Sequence, residues 1–225
     1  MQSSKFNFST AGDGSAEPGS VSQDEAGTKR SKRKGGCDRE EPGERRRVSG
    51  QSSAEVPCVD LRQYLREKGG SLQEHEAKIM MRQLVEAATE LHSKHVFHCD
   101  IKLENIIVET GSDVPRVHVT DFSCGCVAGE GYYRLFSGIP EYAPPEWYKH
   151  MRYKARPTAV WQLGVVLYGV LDGHGSFDTL RFLRRKLPIS SELSQNCQEL
   201  LRMCLSKVPK QRPTLKQLQH HPWLQ

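Results

Sequence analysis

Residues 98–105 read HCDIKLEN, and a second polar stretch, TDFS, follows at residues 120–123. Between them, residues 106–108 (IIV) and 117–119 (VHV) have the composition of short strands, and the turn residues Gly111-Ser112-Asp113 predict a hairpin. A hairpin brings the outer ends of its two strands together. The polar residues just before the first strand and just after the second are therefore expected to lie side by side.

Four polar side chains at these strand ends form a candidate site: Asp100, Lys102, Asn105 and Asp121. Asn105 and Asp121 are expected to converge on one Mg²⁺, which prefers a few carboxylate or carbonyl oxygens together with phosphate oxygens and water. Asp100 could orient a hydroxyl, and Lys102 could neutralise charge on a transferring phosphoryl group. The spacing indicates chemistry on phosphate groups.

The segment before this loop predicts two helices. Asp60 can cap a short helix that ends at Gly69-Gly70, and its apolar face is formed by Leu61, Tyr64 and Leu65. Ser71 and Glu74 have the spacing of a capping box at the start of a long helix. The apolar residues of that helix recur at three- and four-residue steps: Met80, Leu84, Ala88 and Leu91.

The segment after the loop, from Pro140 to Gln225, returns to helical patterns. Its longest apolar run, residues 160–171, is too short to span a bilayer and predicts a buried helix. A later helix has an apolar face of Cys197, Leu200, Leu201, Cys204 and Leu205. Together these patterns predict an α+β, mostly α domain over residues 56–225, with one short β-hairpin beside the polar loop.

The first 55 residues differ in composition, since they contain no Leu and no Ile. Such a segment cannot bury enough apolar surface to offset the entropy of ordering it, so we expect a disordered charged tail over residues 1–55. Its basic clusters at 29–34 and 45–47 resemble a bipartite nuclear-import signal. Acidic residues lie between them, and a solvated tail with mixed charge is the alternative interpretation.

The composition of the whole chain excludes several classes of protein. A net charge of +5 over 225 residues is too mild to argue for nucleic-acid binding, and we expect no nucleic-acid partner. The seven cysteines form no CxxC pair, and the first residues lack the apolar core of a signal peptide. We expect reduced thiols, no membrane role, and a cytoplasmic or nuclear location or both.

The order of the motifs resembles that of protein kinases. HCDIKLEN at 98–105 is similar to the catalytic loop HRDxKxxN, and DFS at 121–123 is similar to DFG. Pro144-Pro145-Glu146 matches the motif that closes an activation segment, and Arg212 matches the arginine that pairs with its glutamate. Three further stretches resemble the PIM family of serine/threonine kinases: EYAPPEW at 141–147, AVWQLG at 159–164 and HPWLQ at 221–225.

The resemblance covers the lower lobe of a kinase and implies roles for the site residues. It implies that Asp100 is the catalytic base, that Lys102 contacts phosphate, and that Asn105 and Asp121 bind Mg²⁺ with ATP as the phosphate donor. PIM kinases use acidic side chains to recognise basic residues near the substrate Ser or Thr. Two acids that match such positions are Asp60 and Glu104.

The resemblance also implies two structural pairs. His98 and Phe122 are expected to stack as core residues, and Glu146 and Arg212 are expected to form an ion pair.

The sequence departs from a complete kinase at several points. It contains no GxGxxG loop and no strand lysine of the Val-Ala-Ile-Lys type, so we expect the ATP-binding upper lobe to be absent and ATP binding by the lower lobe alone to be weak. Cys99 replaces the usual arginine of the catalytic loop, Ser123 the glycine of DFG, and Ile139 the usual threonine.

These departures leave three interpretations of the chain. It is an ATP- and Mg²⁺-dependent kinase of protein substrates, a truncated kinase-derived binding module (a pseudokinase), or a shortened product or incomplete gene model of a full kinase. The second interpretation includes a protein partner that covers the exposed upper face.

Overall fold

A computed structural model of the protein describes residues 57–112, 114–172 and 177–225. The disordered tail predicted for residues 1–55 lies outside these ranges, as does Asp113 of the hairpin turn. Helices predominate over strands in the described residues, and the small sheet contains the predicted hairpin. The expected α+β, mostly helical fold is confirmed.

The described residues form seven α-helices and five β-strands. The helices are α1 (Leu61–Glu67), α2 (Glu74–Ser93), α3 (Pro145–His150), α4 (Ala155–Asp172), α5 (Thr179–Leu183), α6 (Gln195–Cys204) and α7 (Leu215–Gln219). The strands are β1 (Cys58–Asp60), β2 (Val96–Phe97), β3 (Ile106–Glu109), β4 (Arg116–Val119) and β5 (Cys126–Val127).

The strands form two small antiparallel sheets that surround the polar loop. The first has the order β1-β3-β4, and the pairing of Ile106 with Val119 brings the loop end of β3 next to the end of β4. The second pairs β2 with β5, with Phe97 opposite Cys126. The loop at 98–105 and the TDFS stretch are therefore held together by strand pairing on both sides.

The predicted start and stop signals of α1 are confirmed, but the predicted capping box of α2 is wrong. Asp60 caps α1 by accepting a hydrogen bond from the Gln63 amide at 2.8 Å, and Gly69 and Gly70 have positive φ after its end. Helix α2 begins at Glu74 itself, with no side-chain cap. The Glu74 carboxylate accepts bonds from Ser194 and Trp223 instead, and these distant partners replace the local bond to Ser71.

The core is built around α4, as the apolar run at 160–171 predicts. Trp161 is fully buried, and α4 packs against α2 and α6. A Cβ at Gly164 would lie 2.7 Å from the Cβ of Cys204, so glycine permits the close approach of α4 and α6. The predicted apolar face of α6 is buried, and its cysteines are free thiols. None of the helices in the described ranges has the length and apolarity needed to cross a membrane.

The predicted ion pair between Glu146 and Arg212 is confirmed and is buried. The Arg212 guanidinium donates from Nη1 to Glu146 Oε1 at 2.9 Å and from Nη2 to Oε2 at 2.6 Å. The same guanidinium lies 5.0 Å from the centroid of the Trp161 ring. The pair links the start of α3 to the segment before α7. It also anchors the C-terminal end of the segment between β5 and α3, which follows the TDFS stretch.

Candidate active site

The loop at 98–105 brings three predicted site residues into direct contact. Lys102 Nζ lies 2.6 Å from Asp100 Oδ2, and Asn105 Nδ2 donates to the same oxygen at 3.1 Å and to the Asp100 carbonyl at 2.9 Å. Asp100 and Asn105 are buried, whereas Lys102 is half-buried. Desolvation lowers the pKa of Lys102, but the hydrogen bond to Asp100 and its charge outweigh this and raise it overall. Lys102 therefore remains a cation beside the carboxylate.

The TDFS stretch is joined to this loop through Thr120. The Thr120 amide donates to the Asn105 carbonyl at 2.8 Å, and His98 Nε2 lies 2.9 Å from the Thr120 carbonyl. Asp121 follows with a left-handed backbone, φ +60°, which is uncommon for a residue other than glycine. The charge of Lys102 contributes to lowering the pKa of Asp121, after the larger effect of bonds from Ser123. The structure thus places Asp121 in the electrostatic field of the loop.

Ser123, which stands in place of the glycine of DFG, holds one oxygen of Asp121. Its hydroxyl lies 2.5 Å from Asp121 Oδ1 and its amide 3.2 Å from the same atom. These two donors lower the pKa of Asp121, which is exposed to solvent. Within the described part of the chain, Oδ2 accepts no hydrogen bond. Sequence reasoning noted the backbone effect of this serine and missed the bond from its hydroxyl.

The donor set fits a Mg²⁺ site of the kind that substrate phosphates complete. The Asn105 amide nitrogen is engaged by Asp100, so the amide oxygen is the atom left for a cation. Asp121 contributes a carboxylate whose Oδ2 is open. No three His, Cys, Asp or Glu side chains cluster as a metal site in the ranges that the structure describes. A site with two protein ligands fits Mg²⁺, because this ion usually retains water molecules and phosphate oxygens in its coordination shell.

His98 and Phe122 are in contact, as predicted, but only one of them is a core residue. Their ring centroids are 4.6 Å apart. His98 is buried, and desolvation lowers its pKa, which favours the neutral ring. Phe122 is 47% exposed, so the expectation that it is buried is wrong for the described residues.

Cys99 occupies the arginine position of the loop in a strained but well-supported conformation. Its φ is +75°, its thiol lies 3.6 Å from the Tyr153 hydroxyl, and its carbonyl accepts a bond from Gln162 Nε2 at 2.6 Å. Burial raises the pKa of the Cys99 thiol. Gln162 was missed as a supporting residue, although a polar side chain inside the apolar run of α4 is a signal that could have revealed it.

The segment that precedes Pro144 runs directly against Asp100. A Cβ at Gly138 would lie 2.8 Å from Asp100 Oδ1 and 3.0 Å from the Phe136 ring, so only glycine fits there without a shift. Ile139 is partly buried against the main core. The Asp100 carboxylate is thus held by Lys102 and Asn105 on Oδ2 and approached by backbone on the side of Oδ1. Gly138 was another residue that sequence reasoning missed.

The two predicted substrate-binding acids, Asp60 and Glu104, are partly exposed, and both already have partners. Asp60 accepts the capping bond from the Gln63 amide. Glu104 forms an ion pair with Arg62, and Arg62 also reaches the Tyr142 hydroxyl at 3.4 Å. Asp60 pairs with Ile107 between β1 and β3, and no hydrogen bond or ion pair of the described residues joins its carboxylate to Asp100, Lys102 or Asn105.

Comparison with known proteins gives the same assignment as the site geometry. The protein kinase domain model matches residues 54–224. The chain is similar to the serine/threonine-protein kinase pim-2 of Danio rerio, with 37% identity over 168 residues, which is 74% of this chain and 53% of the relative. It is similar to the serine/threonine-protein kinase prk-2 of Caenorhabditis elegans, with 33% identity over 75% of this chain and 38% of the relative.

A third relative is sperm motility kinase 3A of Mus musculus, with 36% identity over 73% of this chain and 33% of the relative. The chain thus spans about half the length of the fish relative and between a third and two fifths of the other two. The matched residues contain the catalytic-loop motif, the TDFS stretch and the Glu146–Arg212 pair. On these grounds the chain belongs to the protein kinase domain family, among its serine/threonine kinases.

Proposed function

We propose that this lobe carries out the phosphoryl transfer step of a PIM-like serine/threonine protein kinase, with ATP as donor. The observation that carries the proposal is the arrangement of the Asp100 carboxylate. Its Oδ2 is held by Lys102 and Asn105, while Oδ1 accepts no hydrogen bond from the described residues. An oriented carboxylate with one open oxygen suits a general base that accepts the proton of a substrate hydroxyl.

The proposed reaction follows from this orientation. A Ser or Thr oxygen forms a bond to the γ-phosphorus as its proton passes to Asp100 Oδ1, and the bond to the leaving ADP breaks. Lys102, 2.6 Å from Oδ2, is placed to move toward the transferred phosphoryl group and neutralise its charge. Mg²⁺, held by Asn105 and Asp121, would supply charge neutralisation at the phosphates of ATP.

We further propose that Glu104 recognises an arginine of the substrate. Its carboxylate already binds a guanidinium, that of Arg62, which shows the chemistry that the position accepts. Glu104 Oε2 is buried and has no hydrogen-bond partner in the described residues. A substrate arginine would replace Arg62 and satisfy this oxygen. Asp60 would add negative charge nearby, while its carboxylate keeps the helix cap.

The transfer step is tested with the purified chain, labelled ATP, Mg²⁺ and a serine peptide rich in arginine. We expect Asp100→Asn to lower the rate by about 10²- to 10⁴-fold, since it removes the general base. Glu199→Gln, which changes an exposed acid of α6, is the matched control and should leave the rate unchanged. Equal transfer by the wild type and Asp100→Asn would end the enzyme proposal.

Substrate choice has a separate test that uses the competition between Arg62 and the peptide. Arg62→Ala should tighten binding of the arginine peptide, and Glu104→Gln should weaken it. A peptide with Lys and Arg replaced by Gln serves as the control for charge. If Arg62→Ala weakens binding of the arginine peptide, Glu104 is not its receptor.

A second candidate function is a kinase-derived binding module, favoured by the bond from Ser123 to the Asp121 carboxylate. That bond occupies Oδ1 and leaves Oδ2 as the single open oxygen of the Asp121 carboxylate for Mg²⁺. Large apolar side chains that follow Ser123 in the chain are also exposed to solvent: Val127 is 79% exposed and Leu135 is 86% exposed. They would supply contacts to a protein partner. This second candidate function is supported if the folded chain transfers no phosphate in the assay with labelled ATP.

A further inference from the structure

A cavity of about 1000 Å³ lies apart from the proposed active site. Its walls come from the C-terminal end of α2, the link between α3 and α4, the start of α4, and the segment that joins α6 to α7. One wall is Tyr132, which belongs to the segment between β5 and α3. None of the four proposed active-site residues lines it, so the cavity is separate from the proposed active site.

The charge of this cavity is strongly positive. Six cationic side chains line it together with one acid, Glu146. The cations are Arg152, Lys154, Arg156, Lys210, Arg212 and Lys216. Arg212 is neutralised by Glu146, and Arg156 lies 3.1 Å from the exposed Glu130. The four remaining cations form no ion pair with any acid in the described ranges.

Two of these free cations are held on one aromatic ring. The Arg152 guanidinium lies 4.7 Å from the centroid of the Tyr132 ring, and Lys154 Nζ lies 5.1 Å from it. Cation–π contacts of this kind contribute about 0.5–1 kcal/mol each at exposed sites and hold the two side chains near the ring. Two like charges on the same ring also repel each other, and a bound anion would relieve that repulsion.

The floor of the cavity is apolar. Val160 and Leu215 line it and are themselves buried, and Pro157 and Pro213 add rigid apolar surface. A free phosphate would leave this floor uncovered. An apolar wall with a few convergent charged groups is typical of a site that takes a ligand with both an apolar body and a charged group.

We propose that the cavity binds an acidic peptide segment of a partner protein. Its carboxylate or phosphate groups would meet Arg152 and Lys154 from the link between α3 and α4, and Lys210 and Lys216 from the segment around the start of α7. An aromatic or aliphatic side chain of the peptide would cover the proline and valine floor. A phosphate backbone would leave the buried apolar residues beside the cations uncovered, which favours a peptide over a nucleic-acid strand.

The consequence for the lobe is a link between the cavity and the segment that approaches Asp100. Tyr132 carries the two cations, and the next residue, Tyr133, pairs with Tyr153 through backbone bonds of 2.8 and 3.0 Å. A peptide that binds the cations would hold this segment in place. Peptide binding at this cavity is measured directly and does not require catalysis.

The test is fluorescence anisotropy of the full chain with a labelled peptide that combines several glutamates with one phenylalanine. We expect saturable binding that weakens about tenfold or more in the double variant Arg152→Gln, Lys154→Gln. The matched control is Arg184→Gln with Lys186→Gln, which removes two exposed cations outside the cavity and should leave the affinity unchanged. Thermal unfolding establishes that both double variants are folded.

Further peptides and competitors decide the chemistry of the ligand. Replacing glutamate by glutamine, or phenylalanine by alanine, should each weaken binding, and a phosphoserine version distinguishes phosphate from carboxylate as the preferred group. The proposal is overturned if the labelled peptide does not bind. It is also overturned if both double variants lose affinity equally, if the glutamine peptide binds as well, or if single-stranded DNA competes better than the unlabelled peptide. If Arg152→Gln with Lys154→Gln fails to fold, Lys210→Gln with Lys216→Gln gives the same test.

Discussion

The buried ion pair between Glu146 and Arg212 makes the stability of the lobe sensitive to one substitution, Arg212→Ala. Arg212 is 6% exposed and Glu146 7%, so neither charge is solvated. Besides the two bonds to Glu146, the guanidinium donates to the Pro157 carbonyl at 2.9 Å and to the Ser206 carbonyl at 3.0 Å. Alanine removes all four bonds and leaves the Glu146 carboxylate buried without a counter-charge.

The expected magnitude follows from the cost of an uncompensated buried charge. Breaking such a pair by removing one partner costs about 3–5 kcal/mol. A domain of this size shifts its Tm by roughly 2–4 °C for each kcal/mol, which predicts a fall of about 6–20 °C. This loss is a large part of a typical stability of about 5–15 kcal/mol.

The assay is urea and thermal unfolding of the wild type, Arg212→Ala and the double variant Arg212→Met, Glu146→Leu. The double variant removes both charges and should recover much of the loss, because it leaves no unpaired group. Lys94→Ala, which breaks the exposed pair with Glu90, is the control and should leave the Tm essentially unchanged. A fall below about 2 °C for Arg212→Ala would refute the reasoning, since it would mean that Glu146 finds water or another partner.

Three further substitutions test the surroundings of the site. Gly138→Ala should lower phosphoryl transfer with little change in Tm, because its Cβ would lie 2.8 Å from the catalytic-loop aspartate; equal rates would show that the segment can move away. Ser123→Gly should raise the pKa of Asp121 toward its ordinary value, since a donor to the carboxylate is lost. Carbon-detected NMR titration measures this rise, and Ser123→Thr, which keeps the hydroxyl, should show a much smaller change. Gln162→Leu should destabilise the fold by about 1–3 kcal/mol in urea unfolding because the Cys99 carbonyl loses its buried donor, and an unchanged midpoint would contradict this role.

The local signals in the sequence were sufficient for most of the fold. The period of apolar residues located α2 and α6, and the long apolar run at 160–171 located α4. The turn between two β-branched runs located the hairpin, and Asp60 with Gly69-Gly70 bounded α1. These features depend on residues within a few positions of each other, so the chain itself encodes them. The motif order also located the Glu146–Arg212 pair across 66 residues, but only through resemblance.

The contacts that the sequence did not predict join residues that are distant in the chain. Glu74 has a capping-box spacing with Ser71, but Ser194 and Trp223 reach its carboxylate from 120 and 149 residues away. Arg62 forms an ion pair with the Glu104 carboxylate, although the two residues are 42 positions apart in the chain. A single sequence does not show which of several polar side chains will hydrogen-bond to a given carboxylate, because that depends on the packing of the completed fold.

The most direct test of the account is to locate the divalent cation on the lobe. Mn²⁺, a paramagnetic substitute for Mg²⁺, is added in small amounts to the isotope-labelled chain, and amide signals are followed by NMR. We predict that broadening centres on Asn105 and Asp121, includes Asp100 and Lys102, and disappears in Asp121→Asn. Broadening that is uniform, or that centres elsewhere and persists in Asp121→Asn, would contradict the claim that these four residues form one phosphate-transfer site.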